Sequence, residues 1–493
     1  MKTTIRLVFF SAALSLGLTG CSDFLDVEPE SVFTDLIIGE QDEGAPKYST
    51  KQDMDLLLAD IYAGFRSTIS NFYNLDLPML TDVRSDNAYA GSIEGWALEL
   101  DNFSISPSNT VTSRSWGEHY AMIGKANVII DNIDAIADPE MTSDLKKRYK
   151  AEAKILRGMM YFDLVRMYGA VPLVLQETPD ITSDNISEIY PLLYPSRAEV
   201  AQVYGQIVED LEEGALNGPE ASPSGDKFKL TRAFACGLLA KVHATMPEKD
   251  WTKVDSYCDD VIAVGYDLAD NYEDLWSAGS QNTIESIFEI SYSNELSNWG
   301  YDMFLGTAWR KFCTPTHDLE AAFMSEGEEG NLIRKNASIK VEACTWDNWW
   351  PASSYRFMNK LRTKTNSWIV MRLADILLLK AEARVELDDL SGAAGLVEQV
   401  RSRVGLPALT AADKASKESM RRAIERERRL ELAFEGHRWF DLLRTGRALE
   451  VMRAWPDQNG VQSLSGIEEW MLLLPVPQSE RDANSNLDQN PGY

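Results

Sequence analysis

The 493-residue sequence contains few of the residues that build catalytic and metal sites. Its four histidines, His119, His243, His317 and His437, lie far apart, and its five cysteines include no C-x-x-C pair. A structural zinc site needs Cys or His ligands at short spacings, so no local zinc motif is present. The patterns H-E-x-x-H, G-x-S-x-G and G-x-x-x-x-G-K and the EF-hand loop are also absent. We therefore expect no metal site and no cofactor.

Basic residues are also scarce relative to acidic ones. The chain has 48 Lys and Arg against 76 Asp and Glu, which gives a formal net charge of −28. A surface this negative repels the phosphates of nucleic acids, so we expect no nucleic-acid partner. The same sign disfavours strongly sulfated or uronate-rich ligands unless a local basic groove overrides it.

Long hydrophobic runs are rare, and the clearest one lies at the N-terminus. Two basic residues precede an apolar run over 7–18, and the following Leu-Thr-Gly-Cys resembles a bacterial lipobox, whose cysteine is acylated and becomes the new N-terminus. The run is too short for a permanent membrane helix. We expect a signal peptide over 1–20, a lipid anchor on Cys21 and an extended acidic tether over 21–50. An ordinary signal peptide with an incidental cysteine is the alternative.

The other four cysteines are Cys236, Cys258, Cys313 and Cys344. Their spacings match neither a redox pair nor a metal-binding set. We expect buried free thiols in preference to a disulfide, although the sequence leaves a disulfide open.

Helical periodicity dominates the chain after the tether. The stretch 149–169 places apolar side chains at three- and four-residue steps and stops at Gly169, shortly before Pro172. The stretches 232–266 and 371–407 each contain two helical patterns joined by a short break, as in tetratricopeptide-type hairpins. The sequence therefore predicts a mainly α protein with a scaffold of helical hairpins.

A different pattern begins at 285–294, where apolar and polar residues alternate and predict a half-buried strand. Residues 295–367 then lack sustained helical periodicity. An irregular segment this long inside a compact domain usually has a function of its own. We therefore predict one domain over 51–493, with a few short strands and a loop-rich ligand-binding portion over 295–367.

Aromatic side chains are concentrated in this irregular segment. Sugar rings present flat C–H faces that pack on indole and phenol rings, while Asn, Asp and Arg bond the hydroxyls. Core filling is the commoner role of a single tryptophan. Trp349 and Trp350 are adjacent and would point to opposite sides of an extended loop, so we expect one to face a ligand and the other to face the core. The candidate ligand-binding residues are Trp96, Trp299, Tyr301, Trp309, Trp346, Asn348, Trp349, Trp350 and Tyr355.

The stretch RERRLELAFEGHRWFDLLRTGR, residues 426–447, could form an active site, because Glu435 and Asp441 flank His437. Gly436, however, permits a bend between helices. The opposite charges that stand three residues apart, and would meet on a helix surface, are Glu435 and Arg438, Arg438 and Asp441, and Asp441 and Arg444. Because such pairs neutralise each other, we predict a structural helix junction in preference to a catalytic pair.

The same stretch resembles the C-terminal signature of the SusD/RagB family of Bacteroidetes outer-membrane lipoproteins. Other pieces resemble that family and follow its order: IGKANVIIDNI, AEAKILRGMMYFDLVRMYGAVPLV, RLADILLLKAEARVEL with QVRSRVGLP, and LPVPQSERDANSNLDQNPGY. The resemblance runs from Cys21 to Tyr493. It departs from the family pattern at Ala170 and throughout 295–367, so the ligand stays open.

This resemblance implies a fold of tetratricopeptide-like helix pairs and a lipid-anchored, cell-surface protein of the outer membrane without catalytic activity. It implies capture of oligosaccharides, or peptides in some members, and their transfer to a SusC-like TonB-dependent transporter. Two other classes compete with this interpretation: a secreted all-helical glycoside hydrolase or lyase with catalytic carboxylates, and an assembly adaptor that binds no ligand.

Overall fold

Helices are the main elements of the structure and include those that the hydrophobic spacing predicts within 149–169, 232–266 and 371–407. The computed structural model describes residues 47–66, 72–179, 185–305, 310–325, 329–346, 349–454 and 464–493. Thr50–Tyr493 cluster as one compact unit. Within the described ranges, no helix is both long and apolar enough to cross a membrane. The predicted signal peptide, Cys21 and nearly all of the tether lie outside the described residues.

The helices are numbered here in chain order. The α-helices are α1 (Lys51–Gly64), α2 (Leu77–Thr81), α3 (Gly95–Asp101), α4 (Thr110–Asn132), α5 (Ser143–Tyr168), α6 (Ile186–Leu193), α7 (Val200–Asn217), α8 (Arg232–His243), α9 (Trp251–Ile262), α10 (His317–Met324), α11 (Glu329–Ser338), α12 (Leu373–Glu386), α13 (Leu390–Arg403), α14 (Lys417–Glu431), α15 (Arg438–Arg444), α16 (Ala448–Arg453) and α17 (Gln478–Ala483). Shorter π-helices span Phe72–Asp76 and Tyr301–Leu305, and 3₁₀ helices span Ile133–Ala135, Tyr272–Leu275, Ala352–Ser354 and Glu469–Leu472.

Helix α5 shows how neighbouring residues set the two ends of a helix. The Thr142 hydroxyl accepts a hydrogen bond from the N–H of Leu145, which caps the first turn. The helix ends at Tyr168, directly before Gly169, whose φ of +74° is a backbone conformation that glycine adopts without strain. The predicted helix end at Gly169 is confirmed.

The predicted helical hairpins are confirmed. Helices α8 and α9 pack together within 232–266, and helices α12 and α13 pack together within 371–407. Neighbouring helices also pack on one another outside these two hairpins. The contacting helices are α4 with α5, α5 with α7, α7 with α8, and α9 with α12. Ala381 and Ala383 on α12 and Ala393 on α13 are fully buried. Such small side chains allow paired helices to approach closely.

The described strands form three small antiparallel sheets of two strands each. The pairs are β1 (Ala88–Tyr89) with β3 (Thr314–Pro315), β2 (Ser286–Ile290) with β6 (Trp368–Arg372), and β4 (Ile339–Glu342) with β5 (Tyr355–Met358). In the register, Tyr89 lies opposite Thr314, and Glu342 lies opposite Tyr355. These short pairings tie distant segments of the chain to one another.

The strand predicted within 285–294 is present as β2, but its predicted half-burial is wrong. All five residues of β2 are buried, including Glu289, which is 1% exposed. Its carboxylate accepts hydrogen bonds from the N–H groups of Asn282 and Thr283, at 3.1 and 3.3 Å. These bonds offset the cost of removing the charge from water. Alternation in the sequence could not reveal that distant segments cover the second face.

The segment 295–367 is more ordered than its sequence pattern indicates. Its described residues include the α-helices α10 and α11, the two short helices Tyr301–Leu305 and Ala352–Ser354, and the strands β3, β4 and β5. The Thr316 hydroxyl caps α10 by accepting a hydrogen bond from the N–H of Leu319. Helices of eight and ten residues are too short for a clear apolar period, which is why the sequence pattern misses them.

The stretch 426–447 forms a helix junction, as predicted. Helix α14 ends at Glu431 and α15 begins at Arg438, after a turn in which Gly436 has a φ of +79°. A Cβ atom on Gly436 would lie 2.8 Å from Leu77 Cδ2. The turn therefore needs glycine both for its backbone conformation and for space.

The ion pairs of this junction differ in part from the prediction. Asp441 pairs with Arg444, with 2.8 Å between Oδ1 and Nη2, as predicted. Arg438, however, donates two hydrogen bonds to Asp86, at 2.7 and 2.8 Å, and Glu435 points into a separate buried network. The predicted pairing of Glu435 with Arg438 is wrong because the glycine turn interrupts the helix between them, and three-residue spacing brings charges together only on a continuous helix.

Arg372 is at the centre of that buried network. It donates to Glu285 at 2.6 Å, to Glu431 at 2.7 Å and to both carboxylate oxygens of Glu435 at 2.7 and 2.8 Å. Lys360 donates to Glu435 at 2.6 Å. Burial raises the pKa of Glu435, but the charges of Arg372 and Lys360 outweigh burial and hold this pKa below its ordinary value. The carboxylates are thus paired, and the network anchors the chain directly after β5.

Candidate functional site

A cluster of aromatic side chains joins segments that are far apart in the sequence. It has a buried part, and several partly buried side chains pack against that part. We call the whole group the aromatic cluster. Its buried members are Tyr89, Trp350, Tyr355 and Phe357, and the side chains packed on them are Tyr301, Cys344 and Trp349.

Two of the small sheets bring the buried members together. Strand β1 carries Tyr89, and β5 carries Tyr355 and Phe357. The hydroxyl oxygens of Tyr89 and Tyr355 are 3.4 Å apart, and Thr314 Oγ1 of β3 lies 3.3 Å from the Tyr355 hydroxyl. Burial raises the pKa of Tyr89, so its hydroxyl stays protonated at neutral pH. The hydroxyls of Tyr89, Tyr355 and Thr314 thus lie close together in the buried part of the site.

Trp350 belongs to the core. Its residue surface is 6% exposed, and its indole N–H donates to the Pro315 carbonyl at 2.8 Å. The His317 ring stacks on it with 3.7 Å between centroids, and the Arg356 guanidinium lies 4.1 Å from the Trp350 ring centroid. Tyr355 is also fully buried. The structure therefore places these two sequence candidates, Trp350 and Tyr355, beneath the surface.

Trp349 has a different environment from its neighbour. It is partly exposed, and its ring centroid lies 4.2 Å from that of Tyr89. Its backbone φ of +70° is rare for a bulky side chain, and such conformations are found most often at functional sites. Trp350 is thus the ring that faces the core, and the expectation that Trp349 faces a ligand stays a prediction.

Trp346 extends the set of partly exposed rings beside the cluster. The ammonium group of Lys311 lies 3.4 Å from the Trp346 ring centroid and 5.0 Å from that of Tyr355. Lys311 itself is 1% exposed. A cation this close to a ring face is attracted by the electron density of the ring. Sequence reasoning missed Lys311, because a single lysine in an irregular segment gives no signal of its position.

The remaining sequence candidates lie around this region or outside the described residues. Trp96 on α3 is partly exposed, and its ring centroid lies 4.7 Å from that of Phe312, the residue after Lys311. Trp299 is partly buried and lies just before the π-helix that begins at Tyr301. Two candidates fall outside the described residues: Trp309 and Asn348.

Among the described residues, this site shows no disulfide and no metal-binding group. The four cysteines after the tether are free thiols, as expected. Three of them are buried, and Cys344 is partly exposed. Across the described ranges, no group of three or more His, Cys, Asp or Glu side chains is placed to hold a metal ion. The contacts observed among the described residues of this site are ring packing, a cation–ring contact and hydrogen bonds.

Comparison with protein families decides the relationship that these motifs suggest. Residues 285–493 match the family model described as the SusD family. Residues 23–243 match a model described as "Starch-binding associating with outer membrane". The chain belongs to the SusD family. The two matches cover both the N-terminal helices and the C-terminal helix junction.

Individual SusD-family proteins align along most of the chain. SusD-like protein P2 of Formosa agariphila is 26% identical, over 97% of this chain and 98% of its own length. The starch-binding protein SusD of Bacteroides thetaiotaomicron is 22% identical, over 59% of this chain and 51% of its own length. The sequence relationship is therefore distant; it extends over nearly the whole of protein P2 but over only about half of SusD itself.

Solved SusD structures share the fold. A SusD superfamily protein from Bacteroides vulgatus has a TM-score of 0.74 and 19% identity, covering 90% of this chain and 99% of its own. A laminarin-binding SusD-like protein has a TM-score of 0.71 and 24% identity, covering 90% of this chain and 100% of its own. The mainly helical, tetratricopeptide-like fold that the resemblance implies is confirmed.

Proposed function

We propose that this SusD-family protein captures oligosaccharides at the cell surface and passes them to a SusC-like TonB-dependent transporter. The observation that carries this proposal is the aromatic cluster, in which the partly exposed rings of Trp349 and Tyr301 pack on a buried aromatic base. The starch-binding description of one matching family model supports a glycan ligand, and so does the laminarin-binding protein of the same fold. Binding without catalysis is the corresponding biochemical activity.

The cluster has the physical properties of a sugar-binding platform. The C–H face of a sugar ring would stack on the exposed face of Trp349, while Tyr89 supports this ring from within the protein. Because packing already restricts the ring, binding would cost little side-chain entropy. Of the residues that the sequence suggests, we propose that Trp350 and Tyr355 pack beneath the binding surface and support it. The proposed ligand contacts are Trp96, Trp299, Tyr301, Trp309, Trp346, Asn348 and Trp349.

We also propose how the binding domain is held at the membrane. Residues 1–20 would be removed as a signal peptide, Cys21 would carry the acyl chains, and 21–50 would form the tether to a binding domain over 51–493. Each buried methylene of an acyl chain contributes about 0.8 kcal/mol, and more than one chain is needed for stable anchoring. The lipidated protein would thus stay at the outer membrane, beside its transporter.

Calorimetric titration of the purified full chain in detergent tests the proposed function. The ligands are oligosaccharides of starch and laminarin, a wider glycan panel and a set of short peptides, and the mixtures are analysed by chromatography afterwards. Saturable binding of a glycan without products supports capture. Products would indicate a hydrolase or lyase, binding of peptides alone would indicate peptide capture, and no binding would favour an adaptor.

The Trp349→Ala variant tests the site itself. Loss of one stacked ring should weaken glycan binding about tenfold, which corresponds to about 1.4 kcal/mol. Trp470→Ala is the matched control, because Trp470 is also partly buried but packs on Tyr493, at 4.9 Å between ring centroids. Equal affinity in the wild type and the Trp349 variant would mean that the ligand binds elsewhere.

A further inference from the structure

A second concave site lies beside the C-terminal helix junction. It is a cavity of about 420 Å³ lined by side chains of α9, α12, α14 and α15 and by residues next to these helices. None of its lining residues belongs to the aromatic cluster. Seven of the lining side chains are basic and five are acidic. The lining itself thus carries more basic than acidic side chains, while Asp86 and Asp375 lie outside the lining and pair with Arg438 and Arg428.

The deepest charges of this cavity belong to three arginines. The side chains of Arg428, Arg438 and Arg444 are only 5–6% exposed. Carboxylates hold them in place: Arg438 bonds Asp86 at 2.7 and 2.8 Å, and Arg444 bonds Glu382 at 2.6 Å. Asp86 is not part of the cavity lining, so it orients the Arg438 guanidinium from behind. Their positions are thus set before any ligand arrives.

Arg422 on α14 supplies an outer charge that can move. Its side chain is 45% exposed, and its contacts with Glu418, Glu425 and Glu450 are 3.1, 3.9 and 3.8 Å long. Exposed ion pairs of this kind contribute little free energy because water and salt screen them. Glu418 and Glu450 are themselves 66% and 63% exposed. The Arg422 guanidinium can therefore leave these contacts for a stronger anionic partner.

Lys249 adds a further cation at the cavity. Its ammonium group donates to the main-chain carbonyl of Arg444. Burial, followed by the nearby charge of Arg444, lowers the pKa of Lys249 from its ordinary value. Lys249 and Arg444 line the same cavity as like charges. A bound anion would offset the repulsion between such charges.

We propose that this cavity binds a small multivalent oxyanion, of the phosphate or sulfate type. Guanidinium groups present paired N–H donors that match two oxygens of such an anion. The volume of the cavity lies within the range of small-molecule sites. This site is distinct from the proposed glycan platform and does not depend on it. The oxyanion could be free in solution or carried on a sugar, since both present the same charged group.

Calorimetric titration of the full chain with sodium pyrophosphate, at constant ionic strength set by NaCl, tests this proposal. Saturable binding is expected. Arg422→Gln should weaken it about tenfold, whereas Glu418→Gln should strengthen it severalfold, because one repelling charge is removed. Parallel titrations with sodium sulfate and glucose 6-sulfate distinguish a free anion from one carried on a sugar.

Arg426→Gln is the matched control, because it removes one charge from the same helix and Arg426 bonds Asp413, which is outside the cavity lining. This variant should bind pyrophosphate as the wild type does. Three results would overturn the proposal: no saturable binding of any of these anions, equal weakening by Arg422→Gln and Arg426→Gln, or no gain from Glu418→Gln. The first leaves glycan capture untouched, because the aromatic cluster is separate.

Discussion

Replacing Arg372 with methionine tests the buried ion network that connects β6 to α14. Methionine fills much of the same space but removes the guanidinium that bonds Glu285, Glu431 and Glu435. The side chains of all four residues are at most 3% exposed, so water cannot replace the lost bonds. Removing one partner of a buried ion pair costs about 3–5 kcal/mol. This is a large part of the roughly 5–15 kcal/mol that stabilises a typical domain.

The ion pairs that the three carboxylates keep in the Arg372→Met variant place the expected loss of stability near the lower end of the range of about 3–5 kcal/mol. Arg403 still bonds Glu285 at 3.0 Å and also pairs with Glu431, while Lys360 still pairs with Glu435 at 2.6 Å. The carboxylates therefore stay partly compensated. We expect the free energy of unfolding to fall by about 3 kcal/mol at pH 7, measured by equilibrium urea denaturation.

Arg421→Met is the matched control. Arg421 bonds Glu386 with similar geometry, at 2.7 and 2.8 Å, but its side chain is 43% exposed. This variant should lose less than about 1 kcal/mol. If Arg372→Met costs no more than Arg421→Met, the reasoning from burial is refuted.

The pH dependence of the same variant gives a second check. The pKa of Glu435 is held below its ordinary value in the folded protein, mainly because the charge of Arg372 outweighs the effect of burial. The unfolded chain therefore takes up this proton at a higher pH than the folded protein does. The resulting stability is present above the unfolded pKa and is lost as the pH falls. In the Arg372→Met variant, the loss of stability on acidification that comes from Glu435 should be smaller than in the wild type.

Three further predictions concern other parts of the chain. Trp350→Ala should lower the free energy of unfolding, measured by urea denaturation, by about 3–5 kcal/mol, because it leaves a cavity in the core. Trp349→Ala should lower it clearly less. A larger loss for Trp349→Ala than for Trp350→Ala would contradict the assigned roles. Burial raises the pKa of Asp101 from 3.8 to about 7, so the folded protein keeps a proton that the unfolded chain releases, and stability should fall as the pH rises through this window. Asp76 and Asp82, whose pKa values burial raises to about 7 and about 6, contribute to the same fall. Asp101→Asn should therefore reduce this fall in melting-temperature series across the same window, and an unchanged slope would exclude Asp101 as one of its sources. Cys21→Ala should release the protein from the membrane fraction or leave it unprocessed, and unchanged detergent-extractable anchoring would disprove lipidation.

Local spacing in the sequence was sufficient to predict α5 and two of the helical hairpins. Helix α5 ends beside Gly169, and the two predicted hairpins contain α8 with α9 and α12 with α13. Caps, glycine turns and apolar periods depend on residues within one or two helical turns, so they can be recognised without the fold. The prediction failed in 295–367, where it missed α10 and α11 because these helices are too short to show a helical period of apolar residues.

The sequence by itself determined the class of fold, the helix junction at Gly436 and the segment rich in aromatic rings. Only the tertiary structure decided which rings are buried and which charges meet. Trp349 and Trp350 are chemically identical neighbours, yet Trp350 is buried because Pro315 and His317 reach it from another segment. Glu435 likewise pairs with a distant arginine rather than with a neighbour. Such contacts depend on how remote segments pack, and spacing along the chain carries no record of that packing.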